Sequence, residues 1–145
     1  MAGAVTGEVP GVARSADCPC DAGTWVRFEP TPPMSTYLAA FAAGPWTTWT
    51  DSSGHVPMAL HARRSRATEV DSNSLLATNR RALQWLEQYF RYDYPFGKLD
   101  LLLAPAFPFG GMEHPGAIFY NESRFIFREE PTLTERLGRD ATLFP

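Results

Sequence analysis

The residues best suited to chemistry lie together in one glycine-rich run, residues 107–116, which reads FPFGGMEHPG. Glycine permits backbone angles and close approaches that a side chain would block. Glu113 is the only carboxylate in the run, and His114 beside it is the only other ionisable side chain. This arrangement is suited to hold a peptide backbone and a cation together, so the run predicts a binding site.

The rest of the sequence offers little other chemistry. His55 and His61 have no second metal-ligating residue at i+4, and no His-Glu-x-x-His motif occurs. We interpret His55 as a turn residue and His61 as a strand or packing residue. Cys18 and Cys20 form a C-x-C pair without a second pair at zinc-finger spacing, which favours two ordinary thiols over a metal site.

Composition excludes several classes of partner. The chain has 145 residues and a net charge of −3, which argues against nucleic acid or an anionic membrane as a partner. The basic cluster at residues 63–66 is short and is interpreted as a solvated linker. No apolar run is long enough for a membrane span. No secretion signal is visible, which leaves the location open and slightly favours the cytoplasm.

The elements that must position the loop are predicted from hydrophobic periodicity. Residues 98–104 (KLDLLLA) read as a strand that leads into the loop, and Ala117–Tyr120 reads as a strand that follows it and offers an edge to an extended peptide. Residues 123–128 are predicted either to extend that strand or to form a strand that runs back along it. A helix begins at Asp71, Ser72 or Ser74 as N-cap and carries Glu87 and Arg91 as an i,i+4 pair. Its apolar positions are Leu75, Leu76, Leu83, Leu86 and Phe90.

The upstream half is less regular. Residues 1–23 are rich in Gly, Ala, Pro and Ser and are predicted to be poorly ordered. Residues 25–29 and 56–62 alternate apolar and polar side chains and are predicted to be strands. Residues 35–43 fit either a helix or a buried strand, and the flanking prolines favour a strand. The polar residues 63–72 suggest a domain boundary. A second helix is predicted to open at residue 134.

Three ordered segments carry a resemblance to a known family. Gly110–His114 reads GGMEH, residues 29–41 read EPTPPMSTYLAAF, and residues 94–100 read YPFGKLD. They are similar to the Gly-x-Met-Glu-Asn, Thr-Pro-x-Met-Ser-Thr-Tyr-Leu-x-x-Phe and Tyr-Pro-(x)-x-Lys-x-Asp segments of the zinc aminopeptidases of the aminopeptidase N and leukotriene hydrolase family. The chain departs from these patterns at His114, where the motif has Asn, and at Phe109, where the leukotriene hydrolase branch has Tyr.

The resemblance implies an α+β fold in three parts. Residues 1–23 would precede the last strands of a β-sandwich-like N-terminal domain at 24–66. Residues 67–145 would begin a thermolysin-like catalytic domain and stop before the zinc helix. In the family the motif glutamate binds the free α-amine of the substrate, a role that falls here to Glu113.

The remaining expectations also come from the resemblance. Gly110, Gly111, Met112 and His114 would complete the substrate-binding loop. Zinc is expected in the complete enzyme and not in this chain. The partners would be a peptide with a free N-terminus and the rest of the enzyme.

Three functional readings follow. The first is a fragment of a zinc metallo-aminopeptidase that removes N-terminal residues from peptides and is inactive by itself. The second is a non-catalytic module that binds peptide N-termini. The third is a structural glycine turn in an unrelated α+β domain, which the three ordered matches disfavour. The fragment reading also predicts exposed apolar faces and marginal stability.

Overall fold

The computed structural model describes residues 2–4, 30 and 33–143. Cys18, Cys20 and the predicted strand at residues 25–29 lie outside the described residues. Ala2–Ala4 falls within the segment predicted to be poorly ordered, and the structure describes it as a short strand.

The strands of the described residues form two sheets. Strands β1 (Ala2–Ala4) and β2 (Ala40–Ala42) pair in parallel. The larger sheet is mixed and contains β3 (Trp46–Asp51), β4 (Met58–Arg63), β5 (Leu99–Ala104), β6 (Gly111–Met112) and β7 (Ala117–Asn121). Its order is β3-β4-β5-β7-β6, in which β4, β5 and β7 are parallel and the outer strands are antiparallel to their neighbours. The α+β class is therefore confirmed.

Helix α1 (Ser72–Phe90) begins where the sequence predicts. Asp71 is the N-cap, and its side chain accepts a hydrogen bond from the Ser74 N–H at 3.1 Å, which satisfies one of the free donors of the first turn. Helix α2 (Leu133–Leu143) confirms the second predicted helix. The part of the chain that the structure describes also contains 3₁₀ helices at Thr36–Leu38, Arg64–Glu69 and Glu122–Arg124.

Two of these 3₁₀ helices correct the sequence prediction. Residues 35–43 contain a 3₁₀ turn followed by a three-residue strand rather than one strand. Residues 123–128 do not extend β7, because the chain turns at once into Glu122–Arg124. In that turn the Asn121 side chain accepts a hydrogen bond from the Ser123 N–H at 3.0 Å, a local contact of the kind that competes with sheet hydrogen bonds.

The predicted pair of Glu87 and Arg91 is wrong. Glu87 Oε1 instead accepts a hydrogen bond from His55 Nε2–H at 2.9 Å and another from the Tyr94 N–H at 2.8 Å. Arg91 ends the helix with a φ of 51°, so the geometry of a continuous helix does not apply to it. His55 therefore lies in a bend, as predicted, but also ties the loop before β4 to the end of α1.

Both faces of the sheet are covered, and every residue of β5 except Asp100 is apolar. Leu101 and Leu103 belong to the cluster formed with α1, α2 and β4. Leu102 faces the other way, where it packs with Ala117 and Phe119 under β2. The upstream segment thus covers one face of the sheet and the helices cover the other.

Strands on both sides of the predicted domain boundary share this sheet. Strand β4 ends at Arg63, and its residues pair with those of β5, beyond the boundary at residues 66–67. The division at 24–66 and 67–145 stays a prediction, and in this structure it falls between paired strands of one sheet.

Polar side chains on three neighbouring strands, β3, β4 and β5, contact one another within the sheet. Thr48 on β3 lies 3.0 Å from His61 Nδ1, and His61 Nε2 lies 3.8 Å from Asp100 Oδ2. At that distance the second contact is electrostatic rather than a hydrogen bond. The Lys98 ammonium contacts the same carboxylate. Burial raises the pKa of Asp100, but His61 and Lys98 lower it by more, and its pKa lies below the ordinary value.

This pKa shift predicts a pH-dependent contribution of Asp100 to stability. A carboxyl whose folded pKa is depressed stabilises the fold above its unfolded pKa, about 3.9, and loses that contribution as pH falls through the lower folded pKa. We expect Asp100→Asn to be destabilising at pH 6 and progressively less so below about pH 4. Urea unfolding between pH 3 and 6 measures the difference, and Asp93→Asn on the exposed surface is the control. A difference that does not change with pH would contradict the assignment.

The predicted exposed apolar surface is present. Trp85, Tyr89 and Phe90 on the second half of α1 and Tyr92 after it are each more than half exposed. Phe90 and Tyr92 also line a largely apolar groove of about 560 Å³, whose other walls come mainly from α1, residues 94–95, Leu99 and Ile118. No helix within the described ranges is long and apolar enough to cross a membrane.

Candidate functional site

The predicted binding run forms the connection from β5 to β7 and supplies the edge strand of the sheet. Gly111 pairs with Tyr120 and Met112 with Phe119 as the short strand β6. The prediction that Ala117–Tyr120 offers a free edge is wrong, because β7 lies between β5 and β6. The outer edge belongs to the glycine loop itself.

Glycine at position 111 is required by packing. A Cβ there would lie 2.8 Å from Cδ1 of Tyr120, closer than such atoms approach. Tyr120 is buried, and burial raises the pKa of its hydroxyl. Gly110 is less constrained, since its nearest neighbour would be the Arg124 side chain at 3.4 Å. The two adjacent glycines therefore have different structural roles.

Asn121 fixes the first part of the loop. Its side-chain amide donates to the Phe107 carbonyl at 2.6 Å, and its backbone N–H donates to the Gly110 carbonyl at 3.1 Å. Gly116 closes the loop with a φ of 74°, a left-handed conformation that favours glycine. The loop is thus held at both ends, close to the sheet.

Glu113 directly follows the edge strand and is exposed. Among the described residues its carboxylate has no hydrogen-bond or ion-pair partner. It lines a cleft of about 250 Å³ together with Gly111, Met112, Ile118, Tyr120, Ala141 and Thr142. An ionised carboxylate beside an open strand edge is available to a cation on a ligand.

The structure divides the predicted site residues into two groups. Gly111, Met112 and Glu113 share the cleft, whereas Gly110 and His114 do not line it. His114 is buried, and its Nδ1 lies 3.0 Å from the Leu38 carbonyl. Its ring also makes an edge-to-face contact with Phe119, with ring centroids 5.0 Å apart.

Sequence reasoning missed part of the cleft wall. Ala141 and Thr142 come from α2, and Ile118 and Tyr120 come from β7. The two strand residues could have been found, because side chains two apart in a strand share a face. Nothing in the sequence signals that the end of α2 reaches the loop.

Comparison with known proteins identifies the family. Residues 75–141 match the model of the peptidase family M1 domain, and this range contains α1 from Leu75 onward, β5, β6, β7 and the whole glycine loop. Residues 75–141 belong to the peptidase family M1 domain. The resemblance to the aminopeptidase N-like family is therefore confirmed at the level of the M1 family, and two of the three ordered segments, residues 94–100 and 110–114, lie in the matched range.

The sequence of this chain is also similar to parts of longer proteins from several organisms. Aminopeptidase N of Streptomyces lividans is 32% identical over 121 residues, which are 81% of this chain and 14% of that protein. Endoplasmic reticulum aminopeptidase 2 of Bos taurus is 35% identical over 110 residues, 74% of this chain and 11% of that protein. Thyrotropin-releasing hormone-degrading ectoenzyme of Homo sapiens is 33% identical over 105 residues, 70% of this chain and 10% of that protein. The chain thus spans about a tenth to a seventh of these relatives.

The M1 family uses zinc, and the described residues do not fit a zinc site. Residues 2–4, 30 and 33–143 contain no group of three or more His, Cys, Asp or Glu side chains that could hold a metal ion. A catalytic zinc takes three protein ligands and a water. His61 and His114 each have Nδ1 in a contact within this chain. The described side chains therefore do not supply the ligand set of a catalytic zinc.

Proposed function

We propose that this chain carries the part of a zinc aminopeptidase that anchors the N-terminus of a peptide substrate. The observation that carries the proposal is the exposed, unpartnered carboxylate of Glu113 at the end of edge strand β6. The proposal includes the finer fold, in which the end of a β-sandwich-like N-terminal domain is followed by the start of a thermolysin-like domain. In the complete enzyme, peptides would lose their N-terminal residues.

The edge of β6 suits an extended peptide. An unpaired strand edge presents backbone donors and acceptors that add a further strand by main-chain hydrogen bonds. Gly111 contributes no side chain to this two-residue edge strand. A peptide that lies along β6 with its first residue toward Glu113 brings its α-amine to the carboxylate.

The charge balance at neutral pH favours this pairing. A free α-amine has a pKa of about 7.7–8.0 and is largely protonated near neutral pH. The peptide ammonium can therefore pair with the Glu113 carboxylate, which has no ion-pair partner among the described residues. Acetylation of the peptide removes the charge and leaves the backbone intact, so the site would select free N-termini.

The strength of the pair depends on how far the peptide excludes water. An exposed ion pair contributes about 0–1 kcal/mol, whereas loss of one partner of a buried pair costs about 2–5 kcal/mol. Glu113 is exposed in the free chain, and a bound peptide would cover it in part. We therefore expect a value between these limits, about 1.4 kcal/mol or tenfold in affinity.

A titration with matched peptides tests the proposal. We expect the chain to bind trialanine amide about tenfold more tightly than N-acetyl-trialanine amide at pH 6.5, measured by calorimetry. The preference should disappear at pH 9.5, where the α-amine has lost its proton while the carboxylate is unchanged. Equal affinity for both peptides at pH 6.5, or no binding of either, would overturn the proposed anchor.

A further inference from the structure

We infer that His114 is a positioning residue that fastens the Glu113 loop to the upstream segment, residues 35–42, and that it is not a contact for the substrate. This inference rests on the proposed function, because it concerns the same site. Its basis is the placement of a buried, polar side chain next to the exposed carboxylate. His114 is 7% exposed although its neighbour Glu113 is exposed.

The contact of His114 joins two parts of the chain that are far apart in sequence. Its Nδ1 lies 3.0 Å from the carbonyl of Leu38, 76 residues upstream. Leu38 ends the 3₁₀ turn Thr36–Leu38, whose own hydrogen bonds use the carbonyls of Ser35 and Thr36. The Leu38 carbonyl is therefore available to the imidazole.

The upstream segment is itself anchored on the sheet. Ala40 and Ala42 of β2 pack against the cluster of Leu102, Ala117 and Phe119. The His114 ring packs edge-to-face on Phe119 of the same cluster. A hydrogen bond to Leu38 thus ties the loop to an element that is already fixed, rather than to a free surface segment.

Hydrogen-bond chemistry determines the state of the ring. A carbonyl oxygen only accepts, so Nδ1 of His114 must carry the proton in this contact. The neutral ring is then the Nδ1–H tautomer, with Nε2 as the acceptor. An asparagine side chain has its Nδ2 bonded to Cγ, as histidine has Nδ1, so His114→Asn keeps a donor at the equivalent position. His114→Leu removes the donor and keeps a similar volume.

The hydrogen bond from His114 Nδ1 to the Leu38 carbonyl, called the brace below, acts on Glu113 through the backbone. The His114 N–H donates to the Met112 carbonyl at 3.0 Å, and the Ala117 N–H donates to the His114 carbonyl at 2.9 Å. The imidazole therefore holds the last residue of the tight turn Met112–His114, in which Glu113 is the middle residue. A site that is ordered before binding loses less conformational entropy when the peptide arrives.

Amide hydrogen exchange and ring nitrogen shifts test the brace directly. We expect ¹⁵N shifts of the unsubstituted chain to show the Nδ1–H tautomer for neutral His114. We expect His114→Leu to speed amide exchange at least tenfold in residues 111–117 and also in 36–39, while His114→Asn stays within about threefold of the unsubstituted chain. Affinity for trialanine amide should fall several-fold in His114→Leu and recover in His114→Asn.

Each outcome decides the inference. Unchanged exchange in His114→Leu, or an Nε2–H tautomer, would overturn the brace while the amine preference of the unsubstituted chain still stands. If His114→Leu does not fold, the tautomer and the exchange of His114→Asn decide. Equal binding of the free and acetylated peptides by the unsubstituted chain would overturn the proposed anchor, and the exchange and tautomer measurements would still decide the brace.

Discussion

Arg80→Ala is expected to destabilise the chain by about 3 kcal/mol. Arg80 is buried in α1 and donates from Nε to Asp51 Oδ2 at 3.0 Å, from Nη2 to the Asp51 carbonyl at 3.0 Å and from Nη1 to the Val56 carbonyl at 2.6 Å. Removing one partner of a buried ion pair costs about 3–5 kcal/mol. We expect the lower end of this range of destabilisation because the Asp51 side chain is still 19% exposed to solvent.

The variants Arg80→Lys and Arg81→Ala make this test specific. Lysine keeps the charge but lacks the planar fork that reaches three acceptors, so an intermediate loss is expected. Arg81 is exposed on the next position of the same helix and makes one contact at 3.5 Å to Thr78. Urea unfolding should show a change below about 0.5 kcal/mol for Arg81→Ala. Similar losses in Arg80→Ala and Arg81→Ala would contradict the role of the network.

Gly111→Ala is expected to have the largest effect on the loop. The added Cβ would meet the ring of Tyr120 at 2.8 Å, and Tyr120 is buried among core residues and cannot easily move. Overpacking of this kind costs about 1–3 kcal/mol. Because Gly111 is half of the two-residue strand β6, relief of the clash would separate the edge strand from β7. We therefore expect both loss of stability and loss of binding for free and acetylated peptides alike.

Gly97→Ala is the matched control for this prediction. A Cβ at Gly97 would meet nothing within 4 Å, and Gly97 lies outside the loop. Thermal unfolding and the two peptide titrations should be nearly unchanged in Gly97→Ala. Peptide affinities in Gly111→Ala equal to those in Gly97→Ala would show that the β6 edge does not take part in binding.

The elements that sequence alone predicted are those with strong local signals. Helix α1 has an N-cap at Asp71 and an apolar stripe, and β4 alternates around Met58, Leu60 and Ala62. Strand β3 was not predicted, although its run WTTWTD is rich in aromatic and β-branched residues and carries a strand signal. Strand β6 has two residues, too few for any periodicity.

Long-range contacts explain what the sequence could not predict about the site. The types and spacing of residues 110–113 were enough to single out the loop. The burial of His114 was not predictable, because its partner Leu38 is 76 residues away. The edge position of Gly111 depends on strand order, which no local pattern encodes. The role of Glu113 as an amine anchor stays a prediction.

The measurement that tests this anchor most directly is the coupling free energy between Glu113 and the peptide α-amine. It is obtained from four dissociation constants, for the unsubstituted chain and Glu113→Gln, each with trialanine amide and N-acetyl-trialanine amide. We predict a coupling of about 1.4 kcal/mol. Glu129 is an exposed carboxylate outside the loop, and the control variant Glu129→Gln should give no coupling. A Glu113→Gln variant that keeps the full preference for the free amine would contradict the account.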